Sequence, residues 1–213
     1  MRKLNIDEWN RKDQFYYFKD YENPFYNICT ELNISEFLTY IKKRKIPFST
    51  TILYASLRVV NEYEPFKYRI IDDEVIIFDE IHGGQTVLNS DDTFSFCYFK
   101  YYDNFHDFFE NVRSVLNEHH QREKKLDPRT NQNDLIHYST LPWIKFTSVS
   151  HARKFSRLDS IPKMVFGKFY KDDGSYTMPF SVEVHHSLID GLHIAEYLEK
   201  FQNYLEHPAT LLS

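Results

Sequence analysis

The sequence predicts an α/β or α+β fold built on a large mixed β-sheet, and three observations carry that reading. Segments with helical periodicity alternate with segments rich in β-branched and aromatic residues. The alternation lacks the short, regular strand–helix–strand rhythm of a doubly wound parallel sheet. The composition is 42% hydrophobic and 17% aromatic with only 5 Gly and 8 Pro, which belongs to a folded chain with a bulky core and no low-complexity tract. The 213 residues contain no internal repeat and no Ser- or Gly-rich linker, so they read as a single domain, 1–213.

The elements follow in order. In SEFLTYIKKRK, Ser35 is placed to cap a helix whose one face is Phe37, Leu38 and Ile41. After Pro47, STTILYASLRVVNEY sets Ile52, Ala55, Val59 and Tyr63 at near-helical spacing. YRIIDDEVIIFDEI reads as a hairpin about Asp72-Asp73, and TFSFCYFKYY as a strand. DNFHDFFENVRSVLNEHHQ returns to helical spacing with Phe105, Phe108, Phe109, Val112 and Leu116. WIKFTSV and KMVFGKFYKDDGSYTMPFSVEVHH have strand composition, the second with a turn at DDGS. A last helix follows Gly191, with Ile194, Leu198, Phe201 and Leu205 on one stripe.

Bulk properties narrow the function. A formal net charge of −5 gives no general affinity for a polyanion, so nucleic acid is not an expected partner. Cys29 and Cys97 have neither metal-ligand spacing nor the density of a disulfide framework, which fits a reducing cytoplasm. No run of about 18 apolar residues is present to span a bilayer, and MRKLNIDEWNRKDQF lacks the apolar centre of a signal peptide. A cytoplasmic protein without a membrane partner is expected.

The chemistry-bearing stretch is SVEVHHSLIDGLHIAEYL, residues 181–198. A strand over 180–186 turns Phe180, Val182, Val184 and His186 to one face and Ser181, Glu183 and His185 to the other. Adjacent histidines then aim apart, and Asp190 and His193 do not complete a metal-ligand spacing, so no metal is expected. Two readings of His186 stay open on these residues alone. It is a hydrogen-bonded core histidine beside an Asp-Gly turn, or a partly desolvated imidazole suited to taking a proton from a hydroxyl near neutral pH.

HHSLIDGLH resembles the HHxxxDG signature of coenzyme-A-dependent acyltransferases, shared by chloramphenicol acetyltransferases, dihydrolipoyl acyltransferases and peptide-synthetase condensation domains. EWNRKDQF, YSTLPWIKF and MPFSVEVHHSLIDGLH are together similar to segments of the chloramphenicol acetyltransferases, in the same order over nearly the whole chain. The resemblance implies a two-layer α/β sandwich and a CoA-dependent O-acetyltransferase that uses acetyl-CoA and no metal. It implies His186 as general base, Ser139 as donor to the thioester oxyanion, and Arg11 with Asp190 as a buried ion pair fixing the histidine loop. His193 takes a packing or hydrogen-bonding role, and His185 a supporting one. Lys168 stands near a lysine associated with the coenzyme, or is simply solvated. Family members are homotrimers with sites at subunit interfaces, so a homotrimer acting on a small-molecule hydroxyl acceptor is implied.

Acceptor-binding positions implied by the resemblance are Phe18, Phe94, Asp127, His151 and Val165, and ENPFYNICTEL, which replaces the family's usual first pocket strand, adds Phe25 and Tyr26 as expected wall residues. Several depart from the family's usual residues: Phe18 replaces a tyrosine, Val165 a threonine, Asp127 an aromatic and His151 a leucine, while Phe94 keeps the aromatic. A carboxylate and an imidazole change the polarity of a pocket, and valine cannot replace a threonine's hydrogen bonds. The expected chemistry is acetyl transfer to chloramphenicol or to another small molecule. The rivals are an acyltransferase for a different alcohol or amine, and a non-catalytic CoA- or small-molecule-binding family member.

Overall fold

The computed structural model describes residues 1–121, 126–153 and 159–212. In chain order the elements are β1 (Arg2–Lys3), α1 (Lys12–Phe18), β2 (Phe25–Asn33), α2 (Ser35–Arg44), α3 (Phe48–Glu62), β3 (Tyr68–Ile71), β4 (Glu74–Ile77), β5 (His82–Leu88), β6 (Phe94–Phe99), α4 (Phe105–Gln121), β7 (Leu135–Leu141), β8 (Lys163–Gly167), β9 (Tyr170–Asp172), β10 (Ser175–His185), α5 (Gly191–Glu206) and α6 (Pro208–Leu211). The large sheet runs β2-β10-β8-β7-β5-β6, with β9 paired to the start of β10. β5–β7 and β7–β8 are parallel and the other pairs antiparallel, so the sheet is mixed as predicted. A small antiparallel sheet, β1-β4-β3, stands beside it.

One face of the large sheet meets the helices. Phe180, Val182 and Val184 of β10, Met164 and Phe166 of β8 and Tyr138 of β7 share one apolar core with α2, α3 and α5. The predicted stripe on α3 is too narrow. Thr51, Leu53, Tyr54, Ser56, Leu57 and Val60 are buried as well, because α3 lies against both α4 and α5. The buried Ser56 hydroxyl is satisfied: its Oγ lies 3.0 Å from the Tyr138 hydroxyl and 2.6 Å from that of Tyr197, joining helix, sheet and α5.

Local chemistry explains most boundaries. The β3–β4 hairpin turns through Asp72 and Asp73 at φ 50° and 63°, a two-residue turn of the kind that matches strand twist. The DDGS turn likewise bends through Asp173 and Gly174. Ser35 is not the cap of α2. It is the first helical residue, and its hydroxyl accepts from the Tyr176 N–H at 2.8 Å, so it joins the helix to β10 instead.

The predicted strand WIKFTSV is also displaced, since β7 ends at Leu141 and only the segment before it pairs. Pro142 has no N–H to offer a ladder, and the strand stops there. β5 escaped the sequence reading because its Gly83-Gly84 pair has low strand propensity. Those glycines are required by close approach: a Cβ on Gly83 would lie 2.2 Å from the Phe99 ring.

Candidate active site

β10 ends one residue earlier than the sequence predicts, at His185, and His186 opens the turn into α5. The turn is closed by backbone bonds. The His186 N–H donates to Pro24 O at 2.7 Å, and His185 O accepts from the Leu188 and Ile189 N–H groups at 3.0 and 3.1 Å. The imidazole of His186 is held between two rings, Phe18 at 4.0 Å and 17° and Tyr26 at 4.8 Å and 15°. Its Nδ1 is sealed from solvent and has no hydrogen-bond partner among the described residues. Two stacked rings fix the plane of the imidazole.

The same turn is anchored by charge. Arg11 Nη1 pairs with Asp190 Oδ2, and Arg11 Nη2 donates to His186 O at 3.3 Å. Asp190 also caps α5: its Oδ1 accepts from the Leu192 N–H at 3.1 Å and lies 2.8 Å from His193 Nδ1. Burial works to raise the Asp190 carboxyl, but Arg11 and His193 outweigh it and hold the group below the usual carboxylate range. Arg11, Asp190 and His193 thus form one connected cluster. Its strength lies between a surface pair and a fully buried one, on the order of 2 kcal/mol, since Arg11 is buried but Asp190 is part-exposed.

The face of the sheet away from the helices holds a second grouping around a cavity of about 430 Å³. Ser139, His137, Phe94 and His151 line it, together with Arg153 and Lys163. Across the strands Glu183, Lys163 and His137 form one row, and Ser181, Val165 and Ser139 the next. The polar groups are largely paired with each other. Arg153 bonds Glu183 and lies 3.4 Å from Asp159, Lys163 lies 3.2 Å from Asp159, and His151 Nδ1 lies 3.3 Å from Glu183. Burial pushes His137 down to about 4.

The remaining carried-over positions divide between these two groupings. Phe18 and Tyr26 clasp His186, and Phe25 meets His185 edge-on at 5.4 Å. Val165 is buried beneath the cavity, and Asp127 is exposed at its edge, where its carbonyl accepts from the Tyr98 hydroxyl at 2.9 Å. Lys168 is exposed, with its N–H bonded to Ile144 O at 2.9 Å. Arg153, Glu183 and His137 were not singled out from sequence. Glu183 and His137 alternate with core residues along their strands, a signal that marks a face but no role.

His186 and Ser139 do not meet within one chain. Ser139 is level with Ser181 across two strand spacings, and His186 lies five residues further along β10. That places them roughly 16 Å apart along the strand and 10 Å across it. A base and an oxyanion donor serving one reacting centre must both come within about 3 Å of it. Within one chain, His186 and the Ser139 cavity therefore stand as two separate groupings.

A mixed sheet whose strand β10, next to the edge strand β2, leads into a clasped histidine and an ion-paired Asp-Gly turn is the arrangement expected of the coenzyme-A-dependent acyltransferase class. Comparison with known proteins makes this specific. The sequence profile of the chloramphenicol acetyltransferase family matches residues 1–202. A chloramphenicol acetyltransferase of Escherichia coli is 28% identical over 206 residues, 95% of this chain and 93% of that protein, and one of Bacillus pumilus is 26% identical over 205. A solved chloramphenicol acetyltransferase superposes with a TM-score of 0.87 at 26% identity over 96% of this chain and 99% of its own. A dihydrolipoamide acetyltransferase of Azotobacter vinelandii shares the fold, at TM-score 0.70 and 14% identity over 100% of this chain and 93% of its own. The chain belongs to the chloramphenicol acetyltransferase family, and it is an acetyltransferase of that type.

Proposed function

We propose that this chain, as a single domain over 1–213, transfers the acetyl group of acetyl-CoA directly to a hydroxyl of a small molecule, with His186 as general base. The observation that carries the reading is the imidazole clasped by Phe18 and Tyr26 on a turn braced by Arg11 and Asp190. With Nδ1 sealed, Nε2 is the nitrogen left to take the acceptor proton as the oxygen attacks the thioester carbonyl, and then to protonate the departing CoA thiolate. Ser139 donates to the oxyanion from the wall of the cavity, and Phe94 and His151 line the acceptor's space there. No acetylated enzyme and no metal enter this scheme.

The two half-sites make the active unit an oligomer in which His186 of one chain faces the Ser139 cavity of another, and a homotrimer of cytoplasmic chains is the assembly proposed. Supporting it, Leu88 and Phe94 at the paired ends of β5 and β6, and Trp143 and Ile144 after β7, are half or more exposed in the isolated chain. Cys29 and Cys97 form no disulfide among the described residues, in keeping with a reducing compartment. Among the described residues no helix is long and apolar enough to cross a membrane.

The test is thiol release from acetyl-CoA with chloramphenicol and a panel of other hydroxylated and amine acceptors. Turnover is expected with at least one alcohol, lost in His186→Ala by a factor of about 10² to 10⁴ and in Ser139→Ala by about 10² to 10³. Equal, background-level rates for wild type and His186→Ala across the panel would support a binding protein instead. Saturable acetylation of chloramphenicol would show that His151 and Val165 do not exclude the drug, against the polarity argument from sequence.

A further inference from the structure

We propose that Arg153 and Glu183 are positioning residues for His186, bracing the histidine turn from the face of the sheet opposite the Arg11–Asp190 pair. The inference rests on His186 being the base. Glu183 lies two residues before His185 on the same face of β10, and it is bonded to Arg153. Both side chains are nearly sealed, at 6% exposure for Arg153 and 8% for Glu183. Burial works to raise the Glu183 carboxyl, but His151 and Arg153 outweigh it and keep the group ionised. A desolvated pair of this kind holds its geometry closely, because either partner left alone would be a buried charge.

From Arg153 a continuous set of contacts reaches the turn. Its guanidinium carbon lies 3.0 Å from the centroid of the Phe25 ring. Phe25 sits directly opposite His185 in the β2–β10 register and meets that ring edge-on at 5.4 Å and 78°. His185 Nδ1 lies 2.7 Å from Oγ of Ser187, which is fully buried. Residues 185 and 187, the two chain neighbours of the base, are therefore both tied to the Arg153–Glu183 pair. Burial first, and the Arg153 charge second, push His185 down to about 4, so the ring beside the base stays neutral when His186 takes its proton.

The chain thus reaches residue 186 by two routes. Arg11, at the start of α1, fixes the carbonyl of His186 and the aspartate beyond it. Arg153, from the segment that walls the Ser139 cavity, fixes the residues immediately before and after the base. A base displaced by about 1 Å loses roughly 10² in rate, so a brace on both faces bears directly on turnover.

The test compares Glu183→Gln, Arg153→Lys, Arg153→Leu and the charge-exchanged double variant Arg153→Glu/Glu183→Arg. Two readouts are taken at a temperature where circular dichroism shows each variant folded. The first is the NMR shift of the His186 ring protons, assigned by their loss in His186→Ala. Clasped between Phe18 and Tyr26, they are expected upfield in wild type, and to move toward the free-histidine position in Glu183→Gln and Arg153→Leu but not in Arg153→Lys. The second is steady-state thiol release with the best acceptor of the panel. Here kcat is expected to fall roughly 10- to 100-fold while KM for acetyl-CoA stays within about 2-fold.

Recovery of both signals in Arg153→Lys or in the double variant supports positioning. Unchanged ring shifts and kcat in folded Glu183→Gln overturn it, as does a loss that follows melting temperature alone with no recovery in either charged variant. Turnover that survives in His186→Ala refutes the base assignment separately, while the ring shifts still report whether the brace exists.

Discussion

His186 is a side chain whose two ring faces are occupied before any substrate arrives, and two other histidines, His185 next to it and His137 in the Ser139 cavity, are set mainly by burial. His137 and His185 are both pushed down to about 4, burial being the largest cause for each. For a histidine with a folded pKa below its unfolded value near 6.5, the native state binds fewer protons than the unfolded chain. The stability each contributes is present above pH 6.5 and is lost as pH falls toward 4, at up to about 1.4 kcal/mol per pH unit for each ring. Urea midpoints measured between pH 7 and 4.5 are expected to fall across that window, and His137→Phe is expected to flatten the decline. The carboxylates held low by their partners, Asp190, Glu183 and Asp159, lose their contribution only at lower pH, as it drops through their depressed values. A profile that stays level to pH 4.5 in wild type would contradict the buried neutral histidines.

The elements were legible wherever one local rule settled them. The helical stripes of α2, α4 and α5 and the Asp72-Asp73 hairpin needed only periodicity and turn chemistry. At that turn Asp73 has φ 63° in a position that glycine occupies at no steric cost, so Asp73→Gly is expected to raise stability by about 0.5–1 kcal/mol in thermal unfolding. The misreadings came where a neighbour decides the outcome. Gly83 and Gly84 look like breaks in a strand until Phe99 and Tyr98 fill the space above them. Gly84→Ala would set a Cβ 2.9 Å from the Tyr98 ring, and a loss of about 1–3 kcal/mol is expected in chemical denaturation. Ser35 has the chemistry of a cap, yet its hydroxyl is taken by the Tyr176 N–H, a partner 141 residues away.

At the scale of the whole molecule, the separation of His186 from Ser139 gives the proposed shared site a direct test. Chains carrying His186→Ala and chains carrying Ser139→Ala, each nearly inactive alone, are expected to recover activity when co-expressed. Some interfaces then join an intact histidine to an intact serine, about one in four for equal random mixing in a closed symmetric assembly. Light scattering gives the assembly size on the same samples. No recovery from mixed assemblies would place base and donor in one chain and refute the shared site. By itself the sequence determined the segment types, the Asp-Gly turn after paired histidines and the family resemblance, because these depend on residues close along the chain or on their order. Only the tertiary structure decided that Phe18 and Tyr26 enclose His186, that Arg153 and Glu183 are sealed together, and that His186 and Ser139 stand apart within one chain. Those relations join residues tens to more than a hundred positions apart, and no local propensity encodes which of them fold into contact.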